Sequence, residues 1–191
     1  CYPTSVLLPL IPLIKNKSIQ TKNIIIDSKS GYSGAGRSVH KKYKNKNLYE
    51  SLSAYGIGFH RHNPEIEQEL KNYTNSVIKF TFTPHLVPMF RGILSTIYVD
   101  LKPGFSIKKI FKIMQKFHKK NIFVNVLKIN SLISTNDVIN TNLCNISICE
   151  TKYKNKLIIL SAVDNLIKGG AGQAIQNMNL KFGFKINEGL K

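Results

Sequence analysis

The residue best suited to covalent chemistry is the cysteine at position 1, in the run Cys1-Tyr2-Pro3-Thr4. An apolar stretch at 6–14 follows it and predicts a helix over 3–14, which bends where prolines interrupt it. Backbone N–H groups at the start of a helix favour the thiolate, so Cys1 is a candidate nucleophile. The alternative is an ordinary small residue at the start of a helix. Because no methionine precedes Cys1, we expect a cleaved segment or a longer polypeptide before it.

Two closely spaced histidines, His60 and His62, are candidates for proton transfer. Imidazole titrates near neutral pH, and alternate residues of an extended segment share one face, so either ring could point into a site. We favour His62, because Asn63 and Pro64 begin a helix beside it. The alternative for His60 is a core or capping role. No other His or Cys lies at zinc-site spacing, so we predict no metal site.

A glycine-rich loop at 30–37 follows a short predicted strand at 24–27. Such a loop, ending in an arginine, is typical of a site where backbone N–H groups bind an anion. We therefore predict that Ser33, Gly34 and Arg37 contact a negatively charged substrate. The alternative is that the glycines only permit a tight turn.

Arginine is rare in this chain of 191 residues, which has 28 basic residues and a net charge of +18. The arginines are Arg37, Arg61 and Arg91, whereas the lysines are scattered among asparagines and isoleucines. A bias toward lysine at tolerant positions explains this pattern, so each arginine is predicted to bind a carboxylate or phosphate as lysine cannot. The alternative for Arg37 and Arg91 is a surface ion pair. The same bias makes the charge a solvated surface and disfavours nucleic acid as a partner.

Cys144 and Cys149 lie in a strand-like stretch and are predicted to be small core residues. With Cys1 they make a sparse, odd count without paired spacing, which indicates reduced thiols in a cytoplasmic protein. The apolar run at 6–14 is too short to span a bilayer, so we expect neither a membrane segment nor a secretory signal.

The remaining pattern predicts an α+β fold with a mostly antiparallel sheet, because most strands follow one another along the chain. Strands are expected at 24–27, 77–83, 94–101, 123–128, 145–150 and 157–163, with a surface loop at 41–47. Helices are expected from Pro64, over 106–119 with Ser106 as the cap, and over about 172–182. The residues predicted to face inward are Ile107, Ile110, Phe111, Met114 and Phe117 in the second helix, and Ile175, Met178 and Leu180 in the third.

Several ordered motifs do not follow the lysine, asparagine and isoleucine bias. They are Cys1-Tyr2-Pro3-Thr4, Ser33-Gly34-Ala35-Gly36-Arg37, residues 60–68, residues 82–92, Val163-Asp164-Asn165-Leu166, residues 168–174 and residues 176–180. Together they resemble the N-acetyl-gamma-glutamyl-phosphate reductase family, from Cys1 to nearly the end of the chain. This family is a member of the aldehyde-dehydrogenase-like group that includes aspartate-semialdehyde dehydrogenase.

The resemblance implies a catalytic and dimerisation domain of the glyceraldehyde-phosphate/aspartate-semialdehyde dehydrogenase-like type. It also implies a preceding Rossmann domain that this sequence lacks. Under it, 1–15 is the catalytic-cysteine helix, 16–160 the substrate-binding and dimerisation domain, and 161–191 a strand and helix that return to the NADP-binding domain. A homo-oligomer is expected for the whole enzyme, and no turnover for this chain alone.

The chemistry implied by the resemblance is reduction of N-acetyl-glutamyl 5-phosphate by NADPH through a thioester on Cys1. His62 or His60 would exchange the proton, and Asn165 and Gly36 would lie near the cofactor. The alternative for Asn165 is a simple turn residue.

Two other classes of protein stay open at this point. An N-terminal-nucleophile cysteine hydrolase would need a sandwich of sheets that begins with a strand after Cys1. A basic nucleic-acid-binding module is supported by charge alone.

Overall fold

The computed structural model describes residues 1–36 and 50–191. The predicted surface loop at 41–47 and the predicted substrate ligand Arg37 lie outside these residues. The helices are α1 (Tyr2–Lys15), α2 (Asn63–Lys71), α3 (Ile107–His118) and α4 (Gly172–Phe182). The strands are β1 (Ile24–Gly31), β2 (Ser53–Ala54), β3 (Phe80–Val87), β4 (Ile93–Asp100), β5 (Val124–Val126), β6 (Cys144–Glu150) and β7 (Lys156–Val163). Short 3-10 helices span Tyr32–Ala35 and Thr135–Asp137, and a π-helical turn spans Ile167–Ala171.

The strands of the described residues form one mixed sheet in the order β2-β3-β1-β4-β7-β6-β5. β1 is parallel to β3 and β5 is parallel to β6, whereas the other neighbouring pairs are antiparallel. At the centre, β4 and β7 pair along their whole length, from Ile93 opposite Val163 to Asp100 opposite Lys156. The predicted α+β fold with a mostly antiparallel sheet is confirmed.

Helices cover one face of the sheet, whereas the other face, called the open face, is partly exposed within the described residues. α1 packs on β4 and β7, and α3 packs on β5 and β6. Val6, Leu10 and Leu13 of α1 are completely buried in the core between these layers. On the open face, Ile25 and Tyr98 remain 44% and 41% exposed. The division of the chain at residues 15 and 160 stays a prediction, although α1 itself packs against this sheet.

A proline inside α1 creates a polar contact between α1 and α3. Pro12 has no N–H, so the carbonyl of Leu8, four residues earlier, loses its usual helical donor. Nε2 of His118, the last residue of α3, lies 3.0 Å from that carbonyl oxygen. Because a carbonyl only accepts, neutral His118 carries its proton on Nε2. Burial lowers the pKa of His118, while the bond to Leu8 acts in the opposite direction.

The helix predicted at 106–119 is α3, and its predicted cap is confirmed. Oγ of Ser106 accepts from the backbone N–H of Lys109 at 3.4 Å. Ile110 and Met114 are buried as predicted. The placement of Phe117 was wrong: it is 42% exposed, and His118 is buried instead because it reaches the carbonyl that Pro12 leaves free.

The helix predicted at 172–182 is α4. Of its predicted inward residues Ile175 is half-buried, whereas the placement of Met178 and Leu180 was wrong. Met178 and Leu180 are 46% and 61% exposed, whereas Gln176 and Asn179 are buried. Nδ2 of Asn179 donates to two backbone carbonyls of the segment after the helix, at 2.9 and 3.3 Å. A buried polar group needs hydrogen-bond partners, and the backbone of the following segment provides them for Asn179.

The strand predicted at 77–83 lies further along the chain, as β3. This strand continues through Pro84, whose carbonyl accepts from the backbone N–H of Tyr55 at 3.1 Å. β5 is shorter than the predicted strand at 123–128. Cys144 is buried and Cys149 half-buried in β6, as predicted for core residues.

Two further observations bear on the class of protein. Cys1 precedes a helix, and the strands of the described residues form one sheet, so the sandwich required of an N-terminal-nucleophile hydrolase is not this fold. Across residues 1–36 and 50–191, no helix combines the length and apolar character needed to cross a membrane.

Candidate active site

A cavity of about 350 Å³ opens at the start of α1. Its walls come from the end of β1, the 3-10 helix after it, and the segment between β2 and α2. The lining residues are Cys1, Tyr2, Ser30, Gly31, Gly34, Ala35, Tyr55, Gly56, Phe59, His60, Arg61, His62 and Leu86. Sequence segments that are far apart along the chain therefore meet in one pocket.

Cys1 lies at the N-cap position of α1, as predicted for a nucleophile. Its side chain caps no backbone N–H of the helix, and the residue is half-buried. Pro3 occupies the first turn, where a missing N–H costs nothing. The thiol is therefore at the positive end of the helix dipole and on the wall of the cavity.

The rings of His60 and His62 lie side by side in the cavity, with centroids 4.9 Å apart. The segment is a turn and not the extended stretch assumed above, since His62 has helical dihedral angles as the cap of α2. Nδ1 of His60 accepts from the backbone N–H of His62 at 3.2 Å. His60 is buried, and its ring packs edge-on against Tyr2, Tyr55 and Phe82. Nδ1 of His60 is therefore already hydrogen-bonded within the protein.

His62 is the less constrained of the two imidazoles. Within the described residues its Nδ1 is buried without a hydrogen-bond partner. Burial, which is the largest cause, and the positive charges of His60 and Arg61 lower the pKa of His62. His62 is thus neutral at pH 7 and has a free lone pair for a proton.

Arg61 brings positive charge to the cavity. It is exposed and lies between the two histidines in the lining. An exposed guanidinium at the edge of a pocket can bind a carboxylate or phosphate in bidentate fashion.

The glycine loop begins with a close backbone approach. A Cβ atom at Gly31 would lie 2.5 Å from the carbonyl oxygen of Phe90, so only glycine fits there. Gly34 lines the cavity, whereas Ser33 and Gly36 are not among the lining residues of the described chain. Gly36 is exposed at the end of the first described segment.

Asn165 joins this loop to the loop before β4. Its Oδ1 accepts from the backbone N–H of Gly92 at 2.7 Å, and its Nδ2 donates to Oγ of Ser33 at 2.9 Å. Asn165 is 3% exposed. Ser33 and Asn165 are thus bonded to each other beside the wall of the cavity, and their predicted binding roles stay predictions.

Arg91 contacts Asp164, a completely buried carboxylate that the sequence analysis did not select. Oδ2 of Asp164 accepts from Nη1 of Arg91 at 3.2 Å and from the backbone N–H of Asn140 at 2.8 Å. Oδ1 accepts from the backbone N–H groups of Leu166 and Ile167 at 2.8 and 3.0 Å. Arg91 thus has the ion-pair contact considered as its alternative. The available signal for Asp164 was a lone carboxylate directly after an apolar strand.

The predicted site residues therefore fall into three groups. Cys1, His60, His62, Arg61 and Gly34 share the cavity. Among the described residues, Ser33, Gly36, Arg91 and Asn165 lie outside its lining. Arg37 is outside the described part of the chain. Within that part, no three His, Cys, Asp or Glu side chains are placed to hold a metal ion.

Comparison with known proteins gives a consistent result. The family model described as "Semialdehyde dehydrogenase, dimerisation domain" matches residues 1–165. The chain is 50% identical over 190 residues to an N-acetyl-gamma-glutamyl-phosphate reductase of Clostridium botulinum, and 44% identical over 191 residues to one of Staphylococcus aureus. These alignments cover 100% of this chain but 55% and 56% of the relatives, so the chain spans about half of their length.

Solved structures agree on the fold. Aspartate semialdehyde dehydrogenase from Francisella tularensis superposes with a TM-score of 0.72 at 15% identity, over 94% of this chain and 62% of that one. Aspartate semialdehyde dehydrogenase II from Vibrio cholerae gives 0.69 at 14% identity, over 92% of this chain and 58% of that one. The chain belongs to the semialdehyde dehydrogenase family and matches it through the dimerisation domain.

Proposed function

We propose that this chain acts in the reduction of N-acetyl-glutamyl 5-phosphate by NADPH to N-acetyl-glutamate 5-semialdehyde and phosphate, a step of arginine biosynthesis. The observation that carries the proposal is that Cys1, at a helix start, and His62 line one cavity together with Arg61. Relatives 44–50% identical to this chain, which are named N-acetyl-gamma-glutamyl-phosphate reductases, support it.

Cys1 is the proposed nucleophile. Its thiolate attacks the acyl carbon, and phosphate leaves as the C–S bond of a thioester forms, which replaces one difficult step by two easier ones. The start of α1 favours the negative charge on sulfur. After reduction, collapse of the thiohemiacetal releases the semialdehyde and returns the thiol.

His62 is the proposed acid and base. In its neutral form it accepts the proton of the Cys1 thiol, and it returns a proton to the oxygen of the thiohemiacetal. His60 is the weaker candidate, because its Nδ1 is bonded to the backbone of His62 and its ring lies in an aromatic cluster.

Arg61 and the backbone at Gly34 are the proposed contacts of the substrate's negative groups. Both line the cavity, and arginine suits phosphate or carboxylate. The roles predicted for Arg37, Ser33 and Arg91 remain predictions; the ion pair between Arg91 and Asp164 makes a supporting role the simpler one for Arg91.

The cofactor of the proposed reaction is a nicotinamide dinucleotide, and the family relationship favours NADP. It would supply the hydride. Asn165 was predicted to lie near it, but both polar atoms of this buried side chain bond to the protein. These bonds give Asn165 a structural role, and its place near the cofactor stays a prediction.

A second copy of the chain is the proposed partner, in the cytoplasm, where free thiols persist. The open face of the sheet exposes Ile25 and Tyr98, and the matching family model is named for dimerisation. Tyr98→Lys on this face should shift sedimentation toward the monomer, and unchanged association would contradict this assignment of the interface.

The activity is tested in a chimera in which this chain replaces the matching part of the Clostridium botulinum relative. We would follow phosphate-dependent reduction of NADP with N-acetyl-glutamate semialdehyde. Cys1→Ser should lower turnover by about 10³-fold or more, and His62→Asn by about 10²–10⁴-fold. Cys149→Ser is the control, because this half-buried thiol lies in β6 and not in the cavity lining.

Activity that survives Cys1→Ser would exclude the thioester. If activity were lost in His60→Asn but kept in His62→Asn, His60 and not His62 would be the acid and base. A folded chimera without any turnover would contradict the proposed reaction.

A further inference from the structure

Three buried serines form a hydrogen-bonded chain between α1 and the sheet. Ser5 of α1, Ser28 of β1 and Ser95 of β4 are each completely buried. Oγ of Ser95 lies 2.7 Å from Oγ of Ser5 and 2.7 Å from Oγ of Ser28. Oγ of Ser5 also lies 2.9 Å from the carbonyl oxygen of Tyr2. We call Ser5, Ser28 and Ser95 the serine chain.

The serine chain has one possible direction of donation. Each hydroxyl has a single proton, and the carbonyl of Tyr2 only accepts, so the proton of Ser5 is used there. Ser95 must therefore donate to Ser5, and Ser28 must donate to Ser95. Each hydroxyl therefore donates in the direction from the sheet to the first turn of α1, and the last acceptor is the carbonyl of Tyr2, the residue after Cys1.

The hydrogen bond between Ser5 and Ser95 specifies the rotation of α1 on the sheet more strongly than apolar packing does. Burial of Val6, Leu10 and Leu13 holds α1 against the sheet but has no preferred direction, so it specifies the rotation of the helix weakly. Hydrogen bonds of 2.7 Å are directional. A rotation or slide of α1 would break the contact between Ser5 and Ser95 and leave buried hydroxyls unpaired.

A second contact supports Cys1 from the side of the π-helical turn. A Cβ atom at Gly169 would lie 2.7 Å from Cβ of Cys1 and 3.0 Å from its Cα, so the bare backbone of this turn touches the cysteine. The N–H of Gly169 donates to the carbonyl of Asp164 at 2.9 Å. The carboxylate of Asp164 holds the start of the same turn.

We propose that the serine chain and Gly169 are positioning elements for the nucleophile, which together fix the place of the Cys1 thiol in the cavity. This inference rests on the proposed role of Cys1. It assigns the three buried serines a task beyond stability, since they set the rotation of the helix that carries the thiol.

The sheet provides a matched control for this proposal. Ser161 of β7 is the cross-strand neighbour of Ser95, as Ser28 is on the other side. Ser161 is also completely buried, but its Oγ contacts Sγ of Cys144 at 3.5 Å. Ser95→Ala and Ser161→Ala therefore remove equally buried hydroxyls of the same row, of which the first is hydrogen-bonded to α1 and the second to β6.

The test measures the alkylation rate of Cys1 by iodoacetamide between pH 6 and 10 on the full chain, assigned by peptide mass spectrometry. Ser95→Ala should change the rate or its midpoint pH, whereas Ser161→Ala should not. In the chimera, Ser95→Ala should lower kcat about 10- to 100-fold with little change in KM, the effect of misplacing a reacting group by up to about 1 Å. Gly169→Ala should act in the same direction, because its methyl group would displace Cys1.

Equal behaviour of Ser95→Ala and Ser161→Ala, within about twofold in alkylation and kcat, would overturn the positioning role. If Ser95→Ala does not fold, Ser28→Ala removes only the first donor of the serine chain and is judged by the same criterion. A chimera without turnover whose Cys1 alkylation still responds to the serine variant would refute the reductase reaction and keep the positioning role.

Discussion

Replacing Lys168 by methionine is expected to stabilise the protein at neutral pH. Lys168 lies in the π-helical turn and is 2% exposed. Its Nζ donates to Oε1 of Gln176 at 2.7 Å and lies 5.3 Å from the ring centroid of Phe123. Neither partner carries a negative charge, and burial lowers the pKa of Lys168 from 10.5 to about 8.

The size of the effect follows from this pKa. A tenfold change in proton affinity corresponds to about 1.4 kcal/mol, so the charge on Lys168 costs the folded protein about 3 kcal/mol at pH 7. The substitution also removes the hydrogen bond to Gln176, which contributes about 1 kcal/mol. Oε1 of Gln176 still accepts from Nδ2 of Asn142 at 3.0 Å. The expected net gain in the free energy of unfolding is about 2 kcal/mol at pH 7.

The pH dependence has a definite sign. Between pH 8 and 10.5 the unfolded chain binds more protons at Lys168 than the folded protein does, so the free energy of unfolding rises with pH in this window. Lys168→Met lacks this increase. Its advantage over the parent should therefore be largest at pH 7 and shrink by pH 10.

The assay is urea unfolding of the parent and the variant at pH 7 and pH 10. Lys181→Met is the control, because Lys181 is an exposed lysine on α4. Comparing the same pair of proteins at both pH values cancels the titration of all other groups. A variant less stable than the parent at pH 7, or an advantage that does not depend on pH, would refute the reasoning.

Three further substitutions follow from the contacts described above. His118→Leu leaves the carbonyl of Leu8 without a donor and should cost about 1–3 kcal/mol in urea unfolding. Because burial lowers the pKa of His118, the parent should also lose stability as the pH falls below 6.5. This loss should be smaller in the variant, which lacks the imidazole. Asp164→Asn removes a buried carboxylate that pairs with Arg91 and accepts backbone N–H groups, so a loss of at least about 2 kcal/mol is expected; an unchanged unfolding midpoint would contradict it. Gly31→Ala places a methyl group 2.5 Å from a backbone carbonyl, so thermal unfolding should begin several degrees lower, and a neutral result would show that the neighbouring loop yields.

The sequence was sufficient for the elements whose positions depend on local rules. The cap at Ser106 and the apolar spacing of Ile110 and Met114 placed α3 to within a residue at each end. The alternating apolar residues likewise located β4, and the apolar run at 157–163 located β7. Cys1 at a helix start and the pair of histidines line one cavity, although the extended conformation assumed for the pair was a turn. Their catalytic roles stay predictions.

What the sequence did not reveal depends on partners from distant segments. Gln176 and Asn179 face inward because they bind Lys168 and backbone carbonyls, and no local pattern shows that a polar residue has such a partner. β3 continues through Pro84, although a proline usually ends a strand, because the edge strand β2 that it faces is only two residues long. The serine chain likewise cannot be recognised until the strands are paired, and the partners of the Asp164 carboxylate come from distant segments as well.

The prolines of α1 bear on the order of events during folding. Pro9 and Pro12 each disfavour a helix interior by about 3 kcal/mol, so this segment cannot remain helical as an isolated peptide. It becomes helical only when the sheet and α3 provide a surface and a donor for the freed carbonyl. Under the proposed role of Cys1, the start of α1 can favour the thiolate only after this helix has formed, so activation of the thiol accompanies closure of the core.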